Sequence, residues 1–460
     1  MSRSPISYTP VAPSLRWSER LALALYGVAI TAASPLLRRK LRKRAVQEPG
    51  YAQAVPERFG YYESKPEAGG ALLWVHAVSL GESRTAGLLI EALRQRIPGL
   101  RILLTHGTAT GRAEGQQLLR EGDLQAWFPW DTPGAVKRFL AHFKPSLGLL
   151  METEVWPSMV QACAQQGMPL WLVNARLNER SLAGIHKAQV LMGPAYRHLA
   201  GVLAQTDMDA ERLQSVGAPV QGVTGNIKFD ARPNPQQVET GLQLRAAWTA
   251  HSGKPVVVLA SSREGEEAAW LDAIAASPAL HAVQWLVVPR HPQRFEAVAQ
   301  LVLERGLSLQ RRSRWTDLNG HSPGPTPAAD IWLGDSMGEM ALYYSIAQVA
   351  LLGASFEALG GQNLIEACAC ACPVIMGPHT FNFTHAAQDA LAQQAALRVA
   401  DVAEAVQAAV ALAHDTPRLH SMQQQAQHFA HAHRGALDAM ADALAGQWAL
   451  MATDHAGDRL

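Results

Sequence analysis

Two doubly wound α/β domains facing each other across a cleft are the architecture this sequence predicts, and three observations carry the prediction. The chain has 460 residues with 48% hydrophobic content, which is enough for two separate cores. Its apolar runs are short and lack polar alternation, and helical stretches of roughly ten or more residues separate them, as expected of parallel strands covered on both faces. The runs form two series, and TGNIKFDARPNP, Thr224 to Pro235, reads as the linker between them.

The first series consists of ALLWVHAV (Ala71 to Val78), RILLTH (Arg101 to His106), PSLGLLM (Pro145 to Met151), MPLWLV (Met168 to Val173) and GVLAQT (Gly201 to Thr206). The second consists of PVVVLAS (Pro255 to Ser261), WLVVP (Trp285 to Pro289), IWLG (Ile331 to Gly334), VALLG (Val349 to Gly353) and PVIMG (Pro373 to Gly377). Between Ser313 and Pro327 a Ser-, Pro- and Gly-rich stretch is expected as a surface loop, and helical pattern runs from Asp401 to near Met451 before a frayed end. Ahead of the first series lies an uncharged run from Leu21 to Leu37, followed at once by Arg38, Arg39, Lys40, Arg42, Lys43 and Arg44. The run is short for a bilayer, which takes about 17 to 25 residues, so it either spans or lies in the interface. Cations directly after it oppose export and removal as a signal peptide. The expectation is a membrane anchor with the bulk of the protein cytoplasmic and the basic cluster against anionic headgroups.

Composition excludes several classes. A formal net charge of +1 provides no basic field for nucleic acid. Neither a G-x-x-x-x-G-K-[ST] loop nor a G-x-G-x-x-G fingerprint occurs, which argues against a P-loop ATPase or an ordinary dinucleotide enzyme. The four cysteines do not form a disulfide framework at this length. Cys368, Cys370 and Cys372 lack the partners of a zinc set and read as small buried hydrophobes. Asp207 and Asp209 open a polar helix and read as a capping and dipole feature.

The residues point to a nucleotide site. From Gly353 to Phe383 a Gly360-Gly361 turn, then Asn363 and Glu366, precede an apolar strand. Glycine allows a tight turn and close approach of a ligand, the helix start at Asn363 favours an anion, and Glu366 could accept from ribose hydroxyls. Ser79 to Glu82, Ser261 to Glu264, Ser336 to Glu339 and Asn363 to Glu366 share one signature after a strand. Each is either a capping box or a ligand-facing turn. Capping is the expectation for Ser261 to Glu264; glycines at Gly81 and Gly338, costly in a first helical turn, argue for ligand-facing turns elsewhere. Glu152, Glu154, Arg290 and His291 also sit at strand ends, and an arginine fork suits a phosphate.

Taken in order, WVHAVSLGES, METEVWPS, NARLNERS, TGNIKFD, ASSREGEE, VPRHPQRF, GDSMGEM, GGQNLIEA and GPHTFNF resemble the motifs of the 3-deoxy-D-manno-octulosonic acid (Kdo) transferases, from about Tyr51 to the C-terminal helices. The resemblance implies a GT-B glycosyltransferase at the cytoplasmic face of the bacterial inner membrane. It would move Kdo from CMP-Kdo to the lipid A precursor, with inversion and with neither metal nor cofactor. The implied general base is Glu82, and Glu152 and Lys228 would support the transition state. CMP contacts carry over to Pro289 and Arg290, to Met337, Gly338 and Glu339, and to Asn363, Leu364, Ile365 and Glu366. Closing the cleft would bring base and nucleotide together, and Arg290, Lys228 and helix N-termini would meet the leaving-group charge. Gln362 and Arg263 stand where the family commonly has histidine. The implied organisation is an anchor over 1–48, an acceptor domain over 49–228, a CMP-sugar domain over 229–435 and a C-terminal helix and tail over 436–460. A UDP-sugar transferase or epimerase and a non-catalytic nucleotide-binding tether are the competing readings.

Overall fold

The computed structural model describes residues 14–63, 71–230, 232–276, 279–315 and 329–457. Beyond Trp315, the loop expected up to Pro327 lies outside the described residues; the end expected to fray after Met451 instead stays helical to Gly457, and 458–460 lie outside them. The chain divides into two compact units, one ending at Asp230 and resuming at Arg434, the other running from Ala231 to His433.

The first unit holds β1 (Leu72–His76), β2 (Arg101–His106), β3 (Leu124–Trp127), β4 (Leu147–Met151), β5 (Leu170–Ala175), β6 (Gly201–Ala204) and β7 (Val220–Val223). They form a parallel sheet in the order β3-β2-β1-β4-β5-β6-β7. β1, β4 and β5 are buried at every position, which is why their sequences carry no polar alternation. Strand order reverses between β1 and β4, so the carboxyl ends of these two strands flank the place where open α/β sheets bind ligands.

The second unit holds β8 (Val256–Ser262), β9 (Gln284–Pro289), β10 (Leu309–Arg311), β11 (Ile331–Leu333), β12 (Val349–Leu352), β13 (Val374–Met376) and β14 (Ala396–Arg398). They are also parallel, in the order β10-β11-β9-β8-β12-β13-β14. Here the reversal falls between β8 and β12. Helices Glu266–Ala275, Phe295–Glu304 and Val402–His414 close one face over Val257, Leu259, Trp285 and Val287.

The last helix, Ala436–Gly457, belongs to the first unit. Met440, Ala441 and Leu444 are buried with Leu73, Val75 and Leu89, and Arg96 binds Asp438 and Asp442 at 2.8 and 2.6 Å. Asp230, the last residue before the chain leaves, accepts from the backbone N–H of Gly435 and Leu437, where it returns, at 2.6 and 2.7 Å. The stretch read as a linker is half anchored: Ile227 is fully buried, and its N–H donates to Asn174 at 3.1 Å.

The apolar run from Leu21 to Leu37 is not one helix. Helix Trp17–Ala32 breaks at Ala33, and Ser34–Gln47 continues at a 50° bend, because Pro35 in the first turn of the second helix has no N–H to continue the ladder. Among the described residues no single helix is long and apolar enough to cross a membrane, although this bent pair meets the length and composition together. One face of the first helix rests on the body: Glu19 pairs with Arg197 at 2.7 Å, and a Cβ on Gly27 would lie 2.8 Å from Pro133. The opposite face exposes Trp17, Leu21, Leu25 and Val28.

Candidate functional site

In the first unit the site grows from the carboxyl ends of β1 and β4. After β1 the chain turns at Val78 into helix Leu80–Arg96, with Ser79 as its N-cap accepting from the Glu82 N–H. The half-buried Glu82 carboxylate accepts from the Val78 N–H at 2.7 Å and from the Ser79 hydroxyl at 3.2 Å. The cap of this helix thus includes the carboxylate that the resemblance names as a base. Gly81 packs against nothing, so a Cβ there would meet open space. Burial raises the Glu82 carboxyl above its ordinary range, the Val78 N–H opposes this, and the nearby charge of Glu152 adds to it. A carboxylate held this way is a stronger base than a solvated one.

After β4, Glu152 adopts a left-handed backbone, φ 57°, a strained conformation for a residue with a side chain. The turn places its carboxylate under Lys228, 2.6 Å away, and Arg176, 3.0 Å away. Asn174, also left-handed at φ 50°, holds the segment carrying Lys228 through the Ile227 N–H. Glu82, Glu152 and Lys228, far apart in sequence, thus form one cluster in one unit, since both Glu152 and Lys228 act electrostatically on Glu82. Lys228 is paired with Glu152, a buried carboxylate whose partner cation costs stability to remove.

Glu154, noticed in the sequence without a role, joins the same cluster. Its carboxylate accepts from the Trp156 indole at 2.9 Å. Burial, then the charges of Glu82 and Glu152, push its carboxyl up to about 7. From about pH 4.5 to about pH 7 the native state keeps a proton that the unfolded chain has released, so stability falls as pH rises through that window and levels off above it. Replacing Glu154 with Gln is expected to flatten this dependence, as urea denaturation of both proteins at several pH values would show.

In the second unit the sequence-predicted residues all lie at carboxyl ends of strands. Pro289 ends β9 and is buried, while Arg290 is exposed, its N–H donating to Ser262 at 3.0 Å. Met337, Gly338 and Glu339 follow β11. Met337 is exposed, and Glu339 is bound to Arg312 at 2.8 Å and to the Ser336 hydroxyl. Helix Met340–Ile346 begins only after Glu339, so Gly338 is not inside it; the glycine answers a φ of 78°. Asn363 caps helix Leu364–Ala369, accepting from Ile365 N–H at 3.1 Å and donating to Glu366 at 3.3 Å. Leu364 and Ile365 are buried and Glu366 is exposed.

Two expectations about turns are corrected. Gly360, φ 90°, does admit a close neighbour, but that neighbour is the chain itself: a Cβ would lie 2.5 Å from Phe381 and Asn382. The 377–383 segment is laced to this turn by Asn382 N–H to Gly360 and by its amide to Leu359, both 3.0 Å. Nor do Ser261 and Glu264 form a capping box. Helix Glu266–Ala275 starts later, with Gly265 as N-cap, and Glu264 is exposed, 3.8 Å from Arg294. The carboxylate that matters is Glu266, buried and accepting from Arg263, Ala354 and Phe356 N–H at 2.9, 2.7 and 3.2 Å. It ties the end of β8 to the end of β12 across the reversal in strand order.

Cys368 and Cys372 lie fully buried and Cys370 nearly so, as the packing reading expects, and burial pushes the thiols of Cys368 and Cys370 up to about 12. Asp209 accepts from the Thr206 hydroxyl at 2.6 Å and from Leu177 N–H at 2.8 Å, in keeping with its capping role.

Solved structures place these two parallel-sheet units in a known class. The chain resembles HepE of Anabaena in complex with UDP, with TM-score 0.55 and 13% identity over 83% of this chain and all of that one. It also resembles a glycosyltransferase from Rickettsia africae, with TM-score 0.51 and 13% identity over 83% of this chain and 97% of that one. The fold they share is the GT-B fold. The profile of the 3-Deoxy-D-manno-octulosonic-acid transferase (kdotransferase) N-terminal region matches residues 53–231. A 3-deoxy-D-manno-octulosonic acid transferase of Bordetella pertussis is 44% identical over 91% of this chain and 98% of its own. That of Haemophilus influenzae is 32% identical, covering 80% and 84%. The chain belongs to the 3-deoxy-D-manno-octulosonic acid transferase family and is a glycosyltransferase.

Proposed function

We propose that the enzyme takes Kdo from CMP-Kdo and transfers it, with inversion at the anomeric carbon, to a hydroxyl of the lipid A precursor. The observation that carries this reading is the convergence of Glu82 with the Glu152–Lys228 pair at the carboxyl ends of β1 and β4. Glu82 removes the proton of the attacking hydroxyl. The Glu152–Lys228 pair fixes the charge around that base and supports the transition state. In residues 231–433, Arg290 receives the single phosphodiester, while the turns at Met337 to Glu339 and at Asn363 to Glu366, with Pro289, hold cytidine and ribose. A competition assay tests the donor. CMP is expected to inhibit transfer well below the concentration at which UMP does, and equal inhibition by the two would favour a UDP-sugar enzyme.

The acceptor's acyl chains suggest why this fold carries its N-terminal helices. Trp17, Leu21, Leu25 and Val28 are exposed along one face, and Arg39, Lys40, Lys43 and Arg44 with Leu36 line an open groove on the next helix. Apolar burial plus attraction to anionic headgroups favours the cytoplasmic surface of the inner membrane. Replacing Leu25 and Val28 with Ser is expected to weaken binding to anionic vesicles about tenfold or more, with the melting temperature little changed because neither side chain is in the core. Cosedimentation checks this; undiminished binding would refute the anchor.

A further inference from the structure

β8 and β9 pair up to Ser262 opposite Pro289, with the register shifted by one extra residue on β8 after Ala260, and the next residue on each strand is an arginine. Arg290 N–H donates to Ser262 at 3.0 Å, which keeps the two chains together where Arg263 and Arg290 leave the sheet. His291 follows, and both guanidinium charges act on it. Among the described residues neither guanidinium has a hydrogen bond or ion pair, because the carboxylates of this turn are committed elsewhere. Glu266 accepts from three backbone N–H groups, Glu267 from the Ser262 hydroxyl and Arg294, and Glu264 lies nearest Arg294. Glu357 on the β12 loop is exposed, and its carboxylate would lie 3.9 Å from a Cβ on Gly265.

Two unpaired guanidinium groups on adjacent strand ends, beside the reversal in strand order, repel each other unless an anion lies between or over them. We infer that Arg263 is a second anion ligand of the donor, acting beside Arg290 and holding either the phosphodiester or the carboxylate of the ulosonic acid. This rests on the donor proposed above, a nucleotide monophosphate ester of an acidic sugar. Arg263 touches the donor without entering the chemistry, so its loss shows in KM rather than in kcat.

The test is Arg263→Ala and Arg263→Lys in the full-length protein, read by donor KM, kcat and calorimetric binding of CMP. A charge-assisted hydrogen bond lost from the site is expected to raise donor KM about tenfold to a hundredfold, with kcat changed less than about threefold and Lys restoring part of the loss. If CMP binding weakens equally, Arg263 serves the phosphate; if CMP binds as before while donor KM rises, it serves the sugar carboxylate. Donor KM within twofold of wild type for Arg263→Ala would overturn the inference. Failure of the wild-type protein to bind CMP at all would instead overturn the donor assignment, so the two failures are separable.

Discussion

Glu82→Gln is expected to lower kcat by about 10²- to 10⁴-fold, the range a positioned general base supplies, while leaving donor KM close to wild type. Glutamine is nearly isosteric, and its amide oxygen can still accept from the Val78 N–H, as the carboxylate does at 2.7 Å. The cap of helix Leu80–Arg96 then survives, and a rate loss reports the missing base rather than a damaged fold. Steady-state kinetics with thermal denaturation as a control separates the two. A variant that turns over at the wild-type rate would reduce Glu82 to a capping residue.

The largest stability effect is expected from Glu266→Ala. Three buried or half-buried N–H groups, on Arg263, Ala354 and Phe356, lose their acceptor together. Each such orphan costs about 1 to 3 kcal/mol, and because the three share one carboxylate the total should be about 3 kcal/mol or more rather than a simple sum. Ala354 makes matters worse, since its φ of 59° is held by this contact and by Gly361 N–H donating to its carbonyl at 2.7 Å. Chemical denaturation is the measurement, and Glu266→Gln, which keeps one acceptor oxygen, should lose distinctly less. Equal stability of Glu266→Ala and wild type would mean that water replaces the carboxylate and that the β8 and β12 ends are held by something else.

How much of this could be read in the sequence depended on burial. Ten strands were legible as unbroken apolar runs; the four that were not are β3, β7, β10 and β14, which are the edges of the two sheets. β3, LQAW, is only half buried at Leu124 and Gln125, and β10, LQR, is nowhere fully buried. An edge strand packs on fewer neighbours, so it needs no continuous hydrophobicity to form. The last helix looked like a tail because its sequence says nothing about which sheet it covers; that is decided by Met440 and Leu444 finding Leu73 and Val75. At the site, the motif resemblance named Glu82, Glu152 and Lys228. Arg176 went unassigned because a motif does not say which cation reaches a buried carboxylate. Among the three acids just after β8, only tertiary contact distinguishes Glu266, which clamps two loops, from Glu264, which is exposed.

The most direct measurement is mass spectrometry of a lipid A precursor incubated with the purified protein and CMP-Kdo, and in parallel with UDP-sugars. The account predicts that the acceptor gains the mass of Kdo with the cytidine donor and remains unchanged with the uridine donors. Transfer confined to a UDP-sugar, or no mass gain from CMP-Kdo with a correctly folded protein, would contradict it.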